Sequence, residues 1–197
     1  MLIGQQGFKV MAHVRQPETL RWSLERFDRV IAAGAFREDD HIELIEGELL
    51  VMTPQGDDHV IALNLINQLF WRSIPSGFFL YIQSSFALND FSKPEPDMVL
   101  VAGQPRDYAA GKRRPRAGLI VEVADTSLDY DRKTKGELYS RNGVQDYWIL
   151  NLLDRRLEVY RDPTSSGYSN TAKLAPDASI SPLALPDLSY RVSDMLP

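Results

Sequence analysis

The spacing of apolar residues divides the first half of the chain into two helices and a hairpin. Apolar side chains recur every three or four residues between 17 and 33 and again between 57 and 73, which predicts an amphipathic helix in each segment. Between them, the stretch HIELIEGELLVMTP has a Glu-Gly pair flanked by two apolar runs, which is the pattern of a β-hairpin.

Short, continuous apolar runs dominate the middle of the chain. FFLYIQSSFAL, PDMVLVA and GLIVEVA indicate strands, and the last two are typical of strands covered on both faces. A helix is expected over about 131–142. It is followed by a hairpin formed by DYWILNL and RLEVYR, and by an irregular tail with short strands over 161–197. This order predicts one α/β domain over residues 1–197, in which helices flank a mixed β-sheet, with an N-terminal helix and β-hairpin.

Composition narrows the class of protein without identifying its chemistry. The 197 residues include no cysteine, which excludes disulfides, thiolate metal sites and cysteine nucleophiles. No apolar run is long enough for a signal peptide or a membrane helix, and we therefore expect a soluble, cytoplasmic protein. The formal net charge of −5 argues against a nonspecific nucleic-acid coat, because such binding depends on cations that meet phosphates.

One strongly basic segment, GKRRPRAG at 111–118, stands out against this acidic background. Its cations are Lys112, Arg113, Arg114 and Arg116. Two interpretations are open for it: a solvated loop ahead of a strand, or a patch that contacts phosphates.

Two carboxylates occupy positions where a buried strand ordinarily has apolar side chains. Asp97 stands at the start of one predicted strand, and Glu122 lies between two valines in the next. A buried carboxylate needs a cation, a hydrogen-bond donor or a metal ion beside it. Acids that converge from neighbouring strands suit Mg²⁺, which takes oxygen ligands and only one or two protein carboxylates. The alternative is that Asp97 caps a turn and Glu122 pairs with an arginine.

Helical geometry places a lysine near these acids. Because successive residues turn by about 100° on a helix, Lys135 shares a face with Leu138 and Tyr139, whereas Lys133 points to solvent. The Lys135 ammonium can therefore extend along the sheet edge towards Glu122. There it would either orient an attacking water and stabilise charge on a phosphate, or only neutralise Glu122.

The residues quoted above resemble a known group of nucleases. PD at 96–97, EVA at 122–124 and the downstream lysine resemble the PD-(D/E)XK nuclease superfamily. Four blocks in this order are similar to the bacterial Uma-two family, which is described as restriction endonucleases: ELIEGELLVMTP, PEPDMVLV, LIVEVADTS and DRKTKGELYSRNGVQDYWIL.

The resemblance implies a restriction-endonuclease-like core over residues 40–160 and metal-dependent cleavage of DNA. It implies that Asp97 and Glu122 bind the metal. Where the superfamily has its lysine, two residues after the glutamate, this chain has Ala124, and Lys135 on the next helix is the matching position in the closer family.

Three further residues are candidates for accessory roles. His59 lies on the apolar face of the second predicted helix, where it is either a satisfied core residue or a ligand, and the resemblance has a histidine there. Glu46 and Glu48 flank the glycine of the hairpin. They would either add an acid to the metal site or form the solvated side of a turn, and we favour the solvated interpretation slightly.

The sequence leaves two functions of different classes open. The first is a Mg²⁺-dependent endodeoxyribonuclease that hydrolyses DNA phosphodiester bonds, with Mn²⁺ as a second suitable metal and, by analogy with nucleases that cut both strands, a homodimeric state. The second is a non-catalytic nucleic-acid or protein-interaction module on a nuclease-like scaffold. Metal binding that depends on Asp97 and Glu122 would separate the two.

Overall fold

The computed structural model describes residues 18–37, 40–111 and 114–197 of the chain. The helices are Leu24–Ala32 (α1), Asp57–Ser73 (α2), Leu128–Tyr130 (α3) and Gly136–Arg141 (α4), with a π-helical turn at Asp131–Lys135 and 3₁₀ turns at Pro105–Gly111 and Val192–Met195. The strands are Ile42–Ile45 (β1), Glu48–Val51 (β2), Phe78–Ile82 (β3), Met98–Ala102 (β4), Ala117–Ala124 (β5), Asp146–Asn151 (β6), Arg156–Thr164 (β7), Gly167–Leu174 (β8), Ser179–Ile180 (β9) and Tyr190–Arg191 (β10).

A six-stranded mixed sheet forms the centre of the fold, in the order β3-β4-β5-β6-β7-β8. Strands β5 and β6 run parallel, and the other neighbouring pairs are antiparallel. A parallel pair needs a crossover connection, and here the segment from α3 to α4 provides it. The predicted mixed sheet flanked by helices is confirmed.

The two faces of the sheet carry different helices, and strand alternation decides which side chain meets which. On β5, Leu119, Val121 and Val123 face the layer that contains α2. Ile120 and Ala124 face the layer that contains α4. Glu122 therefore points towards the crossover segment rather than towards α2.

The hairpin of β1 and β2 turns on the predicted Glu-Gly pair. Ile45 pairs with Glu48, so the loop consists of Glu46 and Gly47 alone, and both have positive φ (50° and 86°). Two-residue hairpin loops favour such turns because their twist matches that of the strands.

Several predicted elements differ from the structure. The crossover consists of α3, the π-helical turn and α4 instead of one helix over 131–142, and β3 ends at Ile82, short of the predicted FFLYIQSSFAL. The first helix starts at Leu24 instead of residue 17, because the Ser23 hydroxyl accepts a hydrogen bond from the Arg26 backbone N–H and caps it there. Within the predicted irregular tail, β8 is a regular strand that pairs with β7 at the edge of the main sheet. Its sequence, GYSNTAKL, lacks the apolar run that indicates a strand because most of its side chains are exposed.

Downstream of β8 the chain has the short strands that the sequence predicts, yet it belongs to the core. Leu185, Tyr190 and Met195 pack in one cluster with residues of α2 and of the sheet. Among the described residues, no helix is long and apolar enough to cross a membrane.

Candidate active site

Asp97 and Glu122 meet at one edge of the main sheet. Met98 at the start of β4 pairs with Val121 on β5, so Asp97 lies beside Glu122. The Asp97 backbone N–H donates to Glu122 Oε2 at 3.3 Å, and the Val123 backbone N–H donates to Asp97 Oδ2 at 2.8 Å. Both carboxylates are buried, with 5% and 2% of their surface exposed.

Lys135 is the cation that neutralises Glu122. Its Nζ lies 3.0 Å from Glu122 Oε1, 3.2 Å from Glu43 Oε1 and 4.0 Å from Asp131 Oδ1. The expected approach of Lys135 to Glu122 is confirmed, and the alternative of an arginine partner is wrong. Lys135 ends the π-helical turn, a rare distortion that is frequent at functional sites.

Two more hydrogen bonds fix the carboxylates around this lysine. The Tyr139 hydroxyl, one turn after Lys135, donates to Glu122 Oε1 at 2.6 Å. The Ser127 hydroxyl donates to Asp131 Oδ2 at 2.6 Å. Both acids are thereby held in one orientation by groups of the crossover segment.

His59 belongs to the same cluster. It lies in the first turn of α2, and its Nε2 is 3.1 Å from Asp97 Oδ2. Burial alone would lower the pKa of His59, but the hydrogen bond and the charge of Asp97 outweigh it and raise the pKa above its usual value. Gln55 donates to the other Asp97 oxygen at 3.2 Å. The Nδ1 of His59 is buried without a hydrogen-bond partner among the described residues.

Glu43 is a site residue that the sequence reasoning missed. It is buried in β1, accepts a hydrogen bond from the Glu95 backbone N–H at 3.0 Å and pairs with Lys135. The signal was present, because Glu43 stands between Ile42 and Leu44 much as Glu122 stands between two valines.

Glu46 and Glu48 lie outside the site. Both are exposed, and Glu46 pairs with Arg141 at 3.0 Å. Neither lines the cleft described below. The solvated interpretation therefore fits the structure, and Glu43 is the hairpin acid that the structure brings to Lys135.

The charges of the site are unbalanced. Glu43, Asp97, Glu122 and Asp131 surround Lys135, the one lysine in the group. Burial, opposed by Lys135 and reinforced by the neighbouring acids, raises the pKa of Glu122 to about 8 and that of Asp131 to about 6. Burial alone would lower the pKa of Lys135, but the surrounding carboxylates raise it well above its usual value. Such an excess of negative charge favours the binding of a further cation.

An open cleft of about 500 Å³ gives access to these groups. Its walls include residues of the hairpin, the start of α2 and the loop after β5. The acids in its lining are Glu43, Glu95, Asp97, Glu122, Asp125 and Asp131. The site is thus buried at its floor and reachable from one side.

The residues present fit a hard divalent cation. Within the described ranges, no three or more His, Asp and Glu side chains are already arranged around a common ion position. Mg²⁺ needs only one or two protein carboxylates, since water and phosphate oxygens complete its coordination. Asp97 and Glu122 can supply these two, and the buried Glu43 Oε2, which has no hydrogen-bond partner among the described residues, could serve a nearby ion.

The described part of the basic segment ahead of β5 lies away from the cleft. Lys112 and Arg113 fall outside the described residues. Arg114 pairs with Asp90, and Arg116 is exposed. Arg116 and Glu122 are six positions apart along the extended chain, or roughly 20 Å at about 3.3 Å per residue.

Comparisons with known proteins agree with the fold. The Uma2 family, described as "putative restriction endonuclease", matches residues 24–193. A crystal structure of a "putative nuclease belonging to DUF820" from Anabaena variabilis superposes with a TM-score of 0.63, at 18% sequence identity, over 88% of this chain and 96% of that chain. At this identity the likeness shows a shared fold. No curated protein matches the chain. Because the family match spans most of the sequence, this protein belongs to the Uma2 family.

Proposed function

We propose that the protein is a divalent-metal-dependent endonuclease that hydrolyses DNA phosphodiester bonds. The observation that carries this proposal is the convergence of Asp97, Glu122 and Lys135 at the floor of one open cleft. Membership of a family described as restriction endonucleases supports the same activity.

Each residue has a distinct role in this proposal. Asp97 and Glu122 hold Mg²⁺ or Mn²⁺, and the bound metal supplies Lewis-acid stabilisation of the scissile phosphate. Lys135 holds Glu122 in place and donates hydrogen bonds towards the attacking water and the charge that develops on the phosphate. His59 orients Asp97 through their hydrogen bond. In the hydrolysis, the water oxygen bonds to phosphorus as the bond from phosphorus to the leaving oxygen breaks, and the proton that the water loses is balanced by the one that the leaving oxygen takes up.

Calorimetric titration of Mg²⁺ and Mn²⁺, with plasmid cleavage measured on the same samples, tests the proposal. We expect saturable binding by the wild type and its loss in Asp97→Asn. Cleavage should fall by at least a hundredfold in Asp97→Asn and in Lys135→Met, since each removes a charge from the transition state. Glu48→Gln, which removes an exposed acid outside the cleft, is the matched control.

The proposal is wrong if a folded Asp97→Asn protein cleaves DNA like the wild type. Circular dichroism of every variant separates loss of activity from loss of structure. Sedimentation of the wild type on DNA tests the homodimer, which we propose by analogy because cutting both strands of a duplex favours two sites.

A non-catalytic interaction module is the second candidate. It is favoured by the absence, within the described residues, of a preformed ion site, because a structural Lys135–Glu122 pair would also leave the metal ligands unassembled. DNA or protein binding without any saturable metal binding would support this function instead.

A further inference from the structure

The proposed active site offers a nucleic acid little positive charge. Lys135 is buried and already meets Glu43, Glu122 and Asp131. Six of the 18 residues that line the cleft are acids and one is a lysine, whereas nucleic-acid backbones are held mainly by cations that neutralise phosphates. If a strand enters this cleft, other parts of the surface must bind its flanking phosphates.

Three cations cluster at the same edge of the sheet. Arg155, Arg156 and Lys173, which we call the turn cluster, line a shallow depression of about 280 Å³ next to Asp154. Arg155 and Lys173 are exposed, and Arg156 has 38% of its side chain exposed. Asp154 is the one carboxylate among the described residues that line the depression, so these residues carry a net positive charge.

The side chains of the turn cluster make few hydrogen bonds and ion pairs within the fold. Lys173 makes no side-chain hydrogen bond or ion pair with any described residue. Arg156 Nε lies 3.6 Å from Asp154 Oδ2 and has no hydrogen-bond partner among the described residues. Arg155 donates to the backbone carbonyl of Pro197 at 3.0 Å.

The strand register aligns the turn cluster with the active site. Glu122 pairs with Ile149, Ile149 with Glu158, and Glu158 with Lys173, so these four residues form one row across the sheet. Residues paired in this way project from the same face. With strands about 4.8 Å apart, Lys173 lies roughly 14 Å from Glu122.

The row between the two sites is buried, since Ile149 and Glu158 have 0% and 1% of their surface exposed. Glu158, the acid in the middle of the row, is bound by the Arg132 guanidinium, whose Nε donates to Glu158 Oε2 at 2.8 Å. The turn that carries Arg155 is tied to the end of β5, because the Leu152 backbone N–H donates to the Ala124 carbonyl at 2.9 Å. A backbone that leaves the cleft therefore passes this row along the edge of the sheet, over the turn between β6 and β7 that carries Arg155.

We propose that the turn cluster binds backbone phosphates of the nucleic acid whose scissile phosphate occupies the cleft. This inference rests on the proposed function and names the direction in which the substrate crosses the protein. One strand of a duplex carries a phosphate about every 3.4 Å along its axis, so the separation of roughly 14 Å corresponds to about four nucleotides.

The double variant Arg156→Gln/Lys173→Gln tests the inference. The probe is a fluorescent DNA duplex whose binding is followed by anisotropy in EDTA between about 50 and 200 mM salt. Each lost phosphate contact reduces the slope of log K against log salt by about 0.9, so we expect a slope lower by about 1.8 and affinity at low salt weaker by roughly tenfold. In the cleavage assay, KM should rise similarly with little change in kcat.

Arg72→Gln/Arg191→Gln is the matched control, since it removes two exposed cations from α2 and β10 on the other side of the sheet. A double variant indistinguishable from this control overturns the inference, as does a wild type that binds no nucleic acid. Preference of the cluster for polyglutamate over the duplex also overturns it, in favour of an acidic protein partner.

The two proposals fail in different ways. If the wild type and Arg156→Gln/Lys173→Gln cleave DNA with the same KM, the nuclease proposal stands and the proposal for the turn cluster is wrong. If the wild type never cleaves DNA but binds the duplex through these two residues, the proposal for the turn cluster is supported and the nuclease proposal is wrong.

Discussion

At the scale of single residues, the buried Glu122 is stable because both of its oxygens have partners. Oε1 accepts hydrogen bonds from Lys135 and Tyr139, and Oε2 accepts one from the backbone of Asp97. Burial still raises the pKa of Glu122 to about 8, and a buried carboxylate with fewer donors would be protonated to still higher pH or would destabilise the fold. The hydroxyl of Tyr139 is therefore a structural part of the site.

Replacing Tyr139 by phenylalanine tests this role. The change removes a hydrogen bond to a buried carboxylate, and we expect the free energy of unfolding to fall by about 1.5–3 kcal/mol. Urea unfolding followed by fluorescence measures it. Tyr81→Phe is the control, because the Tyr81 hydroxyl has no hydrogen-bond partner among the described residues and its loss should change stability by less than about 0.5 kcal/mol. Equal effects of the two substitutions would contradict the assignment.

Much of the site could be predicted from single residues, for physical reasons. Asp97 and Glu122 interrupt apolar strands, and the helical phase of Lys135 follows from its spacing to Leu138. Glu43 was harder to select, because the hairpin HIELIEGELL contains three glutamates and only the register shows which one is buried. The partnership of His59 with Asp97 is a tertiary contact that spacing cannot supply.

At the scale of elements, the π-helical turn is anchored to the sheet by one buried acid. Glu158 on β7 accepts hydrogen bonds from Arg132, from the Asn151 amide and from the Tyr160 hydroxyl. Burial alone would raise the pKa of Glu158, but these donors and the Arg132 charge outweigh it and lower the pKa to about 2. The position of Lys135, three residues after Arg132, depends on this anchor.

We expect Glu158→Gln to lower the stability of the fold by an amount that depends on pH. The lowered pKa means that the charged form stabilises the fold above the ordinary value of 4.5, and that this stabilisation disappears as the pH falls towards 2. At pH 7 we expect unfolding to become easier by about 1–3 kcal/mol. Urea unfolding between pH 7 and pH 3 should show the gap between variant and wild type narrowing below pH 4.5, and a constant gap would contradict this.

Elements were predictable where apolar periodicity was strong. The bounds of α2 match the predicted 57–73, whereas the crossover is a three-part segment instead of one helix over 131–142. The π-helical turn has no distinctive sequence pattern, and the sequence of β8 is mostly polar. Both elements are determined by their contacts with partner strands and buried acids, and the conformational preferences of their own residues do not predict them.

At the scale of the whole molecule, the C-terminal residues complete the core of the domain. The buried carboxylate of Asp146 on β6 accepts hydrogen bonds from Arg161 and from the Leu183 backbone N–H. Tyr190 stacks on Phe70 with ring centroids 4.5 Å apart. These contacts join the tail to the central sheet and to α2.

Replacing Tyr190 by alanine measures how much the C-terminal residues contribute to the free energy of unfolding. The ring is 5% exposed, and its removal leaves a cavity beside Phe70, so we expect a loss of about 3–5 kcal/mol in unfolding free energy. Arg191→Ala, the exposed neighbour in the same strand, should cost less than about 0.5 kcal/mol. A loss below about 1 kcal/mol for Tyr190→Ala in thermal and urea unfolding would mean that the tail is dispensable.

The concentration of four carboxylates around Lys135 also has a consequence for how this protein can change under selection. Mutual repulsion of these acids makes the fold less stable than a neutral interior of the same shape would be. Substitutions that remove one acid are therefore expected to raise stability while they weaken the proposed metal binding, which is the trade-off expected of a site shaped for binding instead of for folding. A relative in which the proposed activity is no longer under selection would be expected to lose these acids first and to keep its fold.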